Sequence, residues 1–277
     1  MEIMEIIKEA FVFPSQDIGK LAIYIVLTIV IAGLAVGGLF STILSFSDSG
    51  AYAIIGVLLF IVSLILGFIT SGYQISILKS GIDNSEAPDF EWKKNIIDGI
   101  YYLIISIVYF IIPAIIVLIV GWITNVPGNI QAVIQEAVTS PVNATVTGNT
   151  TVPVVSTVSD ALIGSLTTSL AITALVALIL FIIFAFIQTM GQSRLANTGS
   201  LGEALNIPEA FRDIGRIGWG KVIAVILLVV IITVIINAII AFITGYVPAI
   251  GIVSIIVTPY LVFFSYRAIG LLYSDIA

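Results

Sequence analysis

Asp89, Asp98 and Asp213 are the side chains whose type best suits bond-breaking work, as carboxylates at the edge of a membrane acting with a metal or a base. The partners for that chemistry are missing from the 277-residue chain, which has no histidine and no cysteine. That composition excludes imidazole bases, thiolate nucleophiles, disulfides and the usual zinc and haem ligands. The three acids also have a simpler role beside Lys93, Lys94 and Arg212, as halves of surface charge pairs. The other polar candidates are uncharged and lie within long apolar runs: Gln74, Gln188, Asn237, Tyr24 and Tyr109. Asn237 is the deepest amide. An unpaired amide in hydrocarbon is costly, so Asn237 is expected to hydrogen-bond another helix, with contact to a solute as the alternative. No enzymatic activity, cofactor or metal is expected.

These groups need elements to position them, and composition says which. Hydrophobic residues make up 60% of the chain and charged residues 9%, where a soluble domain has about 25% charged residues. Such a chain has too little polar surface to cover its own core, and reads as an all-α integral membrane protein whose first partner is the lipid bilayer. Charge-free stretches run over Leu21–Phe46, Ala51–Leu78, Gly99–Ile123, Ala161–Gln192 and Val222–Tyr266. The last is long enough to cross a hydrocarbon layer of about 30 Å twice, and Thr244-Gly245-Tyr246-Val247-Pro248 interrupts it with turn formers. Six transmembrane helices follow, because backbone polar groups in lipid must be satisfied within helices.

All ten Lys and Arg fall on one side of these six spans, while the other side carries only Asp48, Glu136 and Asp160. The positive-inside rule then puts both termini in the cytoplasm of a cell-membrane protein. A net charge of −6 with no basic run excludes nucleic acid as a partner. Glu2, Glu5 and Glu9 precede the first span where a cleavable leader would be basic, so that span is expected to stay in the mature protein. Gly33 and Gly37 have the small-xxx-small spacing that lets helix backbones approach. Pro113 and Pro259 fall inside the third and sixth spans, where proline either packs structurally or breaks a helix to build a solute site.

The chain also repeats itself. Pro14-Ser15-Gln16-Asp17-Ile18-Gly19-Lys20 leads into the first span and Pro208 to Asp213-Ile214-Gly215-Arg216 into the fifth, with Pro88-Asp89-Phe90-Glu91-Trp92-Lys93-Lys94 as a looser copy before the third. Gly72-Tyr73-Gln74, Gly191-Gln192-Ser193-Arg194 and Ser265-Tyr266-Arg267 mark the exits. Three parallel in-out-in helical hairpins result, each entered through an elbow helix lying in the interface, where Pro starts the helix and the basic residue meets lipid phosphate. The single transmembrane domain, 1–277, then comprises an N-terminal interfacial helix (1–20), hairpin one (21–80), hairpin two (81–123 and 161–195), an external loop insertion (124–160) and hairpin three (196–277). The helix at 1–20 carries an apolar stripe of Ile3, Ile6, Ile7, Ala10 and Phe11, suited to anchoring the chain or docking a cytoplasmic partner.

The motifs at 14–20, 72–74, 87–92 and 208–213 resemble a family of archaeal polytopic membrane proteins catalogued only as a domain of unknown function. The resemblance covers nearly the whole chain apart from the loop at 124–160. It implies a multi-span fold and an archaeal source, and it carries no activity.

That loop reads as a helix capped by Asn129 with an apolar stripe of Ile130, Val133, Ile134, Ala137 and Val138, followed by a β-hairpin turning near Gly148-Asn149. Asn143 and Asn149 begin glycosylation patterns. The loop serves either as a cover or as the contact surface for a membrane or extracellular protein partner. With no ionisable group inside the charge-free spans, the expected function is a non-enzymatic membrane scaffold or accessory protein, and the alternative is a permease or channel for a small neutral or lipid-like solute. The sequence does not specify the oligomeric state.

Overall fold

The computed structural model describes residues 1–46, 50–139, 145–147, 150–152 and 158–277. The helices are α1 (Ile3–Gln16), α2 (Ile18–Leu44), α3 (Ala51–Ile82), α4 (Trp92–Ile123), α5 (Val126–Thr139), α6 (Asp160–Thr198), α7 (Leu201–Ala204), α8 (Ile207–Ile217), α9 (Trp219–Tyr246) and α10 (Val253–Tyr273). A 3-10 turn, Pro248–Ile252, joins the last two, and strand β1 (Thr145–Thr147) pairs antiparallel with β2 (Thr150–Val152). Among the described residues six helices, α2, α3, α4, α6, α9 and α10, are long and apolar enough to cross a membrane. The long run Val222–Tyr266 divides where its turn formers lie: α9 stops at Tyr246 and Pro248 opens the turn. Each span helix also continues past its charge-free stretch, so Lys20, Lys79, Asp98, Arg194, Lys221 and Arg267 sit within helices rather than in separate linkers.

Two compact units make up the chain, Met1–Val108 with Phe186–Ala277, and Tyr109–Ala185. In the first, α3 packs along α2 and α10, and α1 lies against α10 and α9. Half of α10's most apolar window is buried (50%), against 11% for α2 and for α9, so α10 is a central rod of this unit.

Backbone contact sets these crossings. A Cβ built on Gly72 of α3 would fall on the Asn95 carbonyl of α4, and one on Gly99 of α4 would fall on the Phe68 carbonyl of α3. At the other crossing, a Cβ on Gly81 would lie 2.8 Å from both the Arg267 carbonyl oxygen and the Gly270 Cα of α10. Helices approaching this closely gain dispersion contact that a side chain would block. The expected small-residue pair is not where this happens on α2. Gly33 is exposed with nothing within 4 Å of its Cβ position, and Gly37 meets only Leu59 Cδ1 at 3.5 Å. The close approach belongs instead to buried Gly38, whose Cβ position lies 3.2 Å from the Gly56 carbonyl of α3.

The lead-in segments differ from one another. Pro14 lies in the last turn of α1, and the first span starts at its own cap, where Asp17 accepts from the Lys20 backbone N–H at 3.0 Å. Before the fifth span, Pro208 does open a helix, α8, capped by Asn206, and α9 begins after Gly218 at φ 106°. Residues 85–91, before the third span, form no helix at all. The repeat is therefore one of sequence more than of local structure. The stripe of α1 is also corrected: Ile6, Ile7, Ala10 and Phe13 are buried, Phe11 is exposed, and the face packs on α10 and α9.

In the second unit, α4 and α6 are tied by Thr124 and Thr173 hydroxyls 3.1 Å apart, and Phe110 and Phe181 pack at 5.7 Å. Asn129 is not a cap, because α5 starts one turn earlier at Val126; its amide donates to Ser169 Oγ at 3.1 Å and the Ser165 carbonyl at 3.3 Å. Asp48, Asn143, Asn149 and the turn at 148–149 lie outside the described residues.

Overpacking a close helix crossing costs about 1–3 kcal/mol. Gly270→Ala, whose methyl would meet the Leu78 carbonyl, is expected to lower the thermal unfolding midpoint of the detergent-solubilised protein, and Gly33→Ala to leave it unchanged. Equal effects of the two substitutions would contradict the assignment of the crossing.

Candidate functional site

Arg267 follows the last charge-free stretch, yet it lies inside α10 and is only 4% exposed. Burying a guanidinium costs less the more of its donors are met; here Nη1 and Nη2 are met, while the buried Nε has no hydrogen-bond partner among the described residues. Nη1 donates to the Ser80 and Ser85 carbonyls, each at 2.6 Å, and to Ser80 Oγ at 3.3 Å. Nη2 donates to Glu9 Oε1 at 2.7 Å and to Asn84 Oδ1 at 3.1 Å, and the cation lies 4.5 Å from the centre of the Phe13 ring. Asn84 can present its amide because it sits just past the end of α3 in the left-handed region, at φ 47°. One side chain thus joins α1, the end of α3, the loop after it and α10.

Asp213 is the complementary case, a carboxylate 1% exposed on α8. Oδ2 accepts from Arg194 Nη1 at 2.9 Å and from the Tyr273 hydroxyl at 3.0 Å, and Oδ1 accepts from Arg216 Nη1 at 2.9 Å. Arg194 also holds Glu203, through its carboxylate and, at 3.0 Å, its carbonyl. The expected pairing with Arg212 is replaced, since Arg212 binds Glu209 one turn earlier on the same helix. Asp89 likewise pairs with Lys20 at 3.2 Å rather than with Lys93 or Lys94. Lys20 bridges Asp89 to Asp17 at 3.3 Å, so it meets protein carboxylates where lipid phosphate was expected. The Lys20 backbone N–H, and then its ammonium, hold the Asp17 carboxyl below its ordinary value of 3.8.

Beside the Arg267 clamp, and sharing Phe13 with it, lies an aromatic core in which the exit motif of α3 has three distinct jobs. Gly72 admits α4. Tyr73 stacks on Phe90 at 3.8 Å and donates to the Pro88 carbonyl at 2.9 Å. Gln74 Nε2 donates to the Tyr24 hydroxyl of α2 at 2.7 Å. Gln74 therefore makes the interhelical bond expected of Asn237. Asn237 itself is exposed on α9 and donates to the Thr233 carbonyl of its own helix at 2.8 Å, the local solution open to a polar side chain on a helix. Gln188 reaches Ser106 Oγ at 2.9 Å. Pro113 and Pro259 are each buried within unbroken helices, one in each unit.

A half-enclosed cavity of about 210 Å³ opens between the ends of α3, α4 and α6, with Ser76, Lys79, Lys94, Asp98, Asn197 and Thr198 among its polar lining. Lys79 pairs with Asp83 at 3.6 Å and Lys94 with Glu91 at 3.3 Å. Asp98 is therefore not the partner that Lys94 takes.

Six span-length apolar helices carrying polar clamps at their ends define a multi-pass membrane protein. The chain belongs to the family described as protein of unknown function DUF4013, whose profile matches residues 55–245. The match runs from the second turn of α3 into the end of α9. It includes the loop at 124–160 and the motifs at 72–74, 87–92 and 208–213, and it leaves out the motif at 14–20 and all of α10. No curated protein and no solved structure matches the chain.

Sequence reasoning missed Arg267, Glu9 and Arg194 as buried or bridging groups. A signal was present for the first: Ala268-Ile269-Gly270-Leu271-Leu272-Tyr273 continues the apolar helix beyond the lone cation. Removing one partner of a buried pair costs about 3–5 kcal/mol. Arg267→Leu is expected to lower the thermal midpoint in detergent far more than Asn237→Leu, which removes a bond within one helix. Comparable shifts would show that Arg267 is not a clamp.

Proposed function

We propose that the chain is a non-enzymatic scaffold or accessory protein of the cell membrane, built as three in-out-in hairpins with both termini cytoplasmic. The observation that carries this reading is the Arg267 cluster: a charge on α10 that could have served transport or catalysis is engaged by protein groups from α1, α3 and the loop after α3. Asp213 supports it in the same way, since two arginines and a tyrosine hold it. In this reading α1 and α8 lie near the membrane surface, and residues 124–160 form the outer face, open to a membrane or extracellular protein partner. The motifs at 14–20, 72–74, 87–92 and 208–213 support an archaeal source.

Two measurements test it. Cysteine is absent from the chain, so single thiols report topology cleanly. Gln131→Cys is expected to react with an impermeant maleimide on intact cells, and Lys93→Cys only after permeabilisation. Both positions are exposed, whereas Asn95 is fully buried and would stay unreactive on either side. The reverse labelling pattern would overturn the orientation. In liposomes, the protein is expected to give no flux of small neutral solutes above empty vesicles. Flux abolished by Asn237→Leu would establish the permease reading instead.

A further inference from the structure

The cavity between the ends of α3, α4 and α6 holds charges that the clamps do not use. Lys79 on α3 and Lys94 on α4 stand at its rim, while Ser76 and Asp98 lie about one helical turn further along their helices towards the apolar stretches. Among the described residues, no hydrogen bond or ion pair engages the Asp98 carboxylate, although it is half-buried within a span-length helix. A carboxylate partly withdrawn from water without a donor is unfavourable, and a donor brought by a ligand would relieve it. The last turn of α6, Leu195 to Thr198, lines the same cavity and presents the negative end of that helix. Asp98 and the α6 end thus favour a cation at the floor. The rim favours an anion, because the present partners of Lys79 and Lys94 are exposed side chains in weak pairs that a ligand can replace.

We propose that this cavity binds a small zwitterion, with its ammonium on Asp98 and the C-terminal end of α6 and its phosphate or carboxylate held by Lys79 and Lys94. The space, about 210 Å³, is several times one water's share of about 30 Å³ and suits a molecule of the size of phosphoethanolamine. That chemistry has two sources, a free solute and a phospholipid headgroup. The order of charges favours the solute. In a headgroup the phosphate lies nearer the acyl chains than the ammonium does, whereas here the acid lies nearer the apolar run Gly99–Ile123 than the lysines do. The proposal rests on groups outside the Arg267 and Asp213 clusters, so it stands or falls separately from the scaffold reading.

Titration calorimetry of the full chain in detergent tests it, with O-phosphoethanolamine, inorganic phosphate and ethylamine as probes. Saturable binding of phosphoethanolamine, at least tenfold tighter than of either half alone, is the expected result for the wild type. Asp98→Asn is expected to bring phosphoethanolamine down to the affinity of phosphate, and Lys79→Gln with Lys94→Gln to weaken both, with thermal midpoints confirming that the variants fold. The comparison of probes on the wild type decides the matter even where a variant does not fold. Loss of phosphoethanolamine binding in nanodiscs of phosphatidylethanolamine, but not of phosphatidylglycerol, would keep the chemistry and assign it to the headgroup. No saturable binding of the zwitterion, or phosphate bound as tightly and Asp98→Asn without effect, would overturn the proposal.

Discussion

A guanidinium withdrawn from water inside a span-length helix is the constraint on which the first unit depends. Arg267 has to be met by acceptors, and α10 supplies none of those it uses: they come from Glu9, Ser80, Asn84 and Ser85. Meeting them requires the end of α3 to reach the α10 backbone, which is where Gly81 and Gly270 permit contact. The glycine crossing and the ion cluster are therefore one device. The missing Cβ atoms let Ser80 come within hydrogen-bond distance of the cation, and the cation adds a polar attraction to the apolar packing that already holds the end of α3 against α10. Glu9 then brings α1 to the same point, with Phe13 covering the face of the guanidinium.

Asp213 applies the same logic with the sign reversed. A buried carboxylate on the short helix α8 gathers the end of α6, through Arg194, and the last turn of α10, through Tyr273. The two clusters share α10 and neutralise their charges locally, so polar cost is confined to the ends of the helices and the apolar stretches are left to lipid. Charges held in this way by several protein groups are poor candidates for moving protons or breaking bonds, which is the physical basis for reading the protein as a scaffold. The cavity beside Asp98 stands apart, because among the described residues no hydrogen bond or ion pair holds its carboxylate, which feels the nearby charge of Lys94.

The architecture was legible where burial in lipid leaves one solution. Long charge-free runs gave the six span-length helices, and Thr244 to Pro248 marked the division of the longest run. What depends on which charge faces which was not legible. Asp17 and Asp213 occupy equivalent places in the repeated motif, yet one caps α2 and the other is a buried hub, because α8 intervenes only before the fifth span. Gln74, which donates to Tyr24, and Gln188, which donates to Ser106, are amides that bridge helices, whereas Asn237 bonds within its own helix. Gly33 and Gly37 have the spacing of a packing motif, but contact is set by the face that meets α3, which Gly38 occupies. Glu9 and Arg267 are 258 residues apart, and no local pattern links them.

The central claim is that Glu9 and Arg267 act as a coupled clamp, and a double-mutant cycle measures that directly. Unfolding free energies of the wild type, Glu9→Gln, Arg267→Gln and the double variant in one detergent give the coupling energy. Residues within one buried ionic network couple by about 0.5–3 kcal/mol, and a value in the upper half of that range is the result expected here. Additive losses, with no coupling beyond experimental error, would contradict the account.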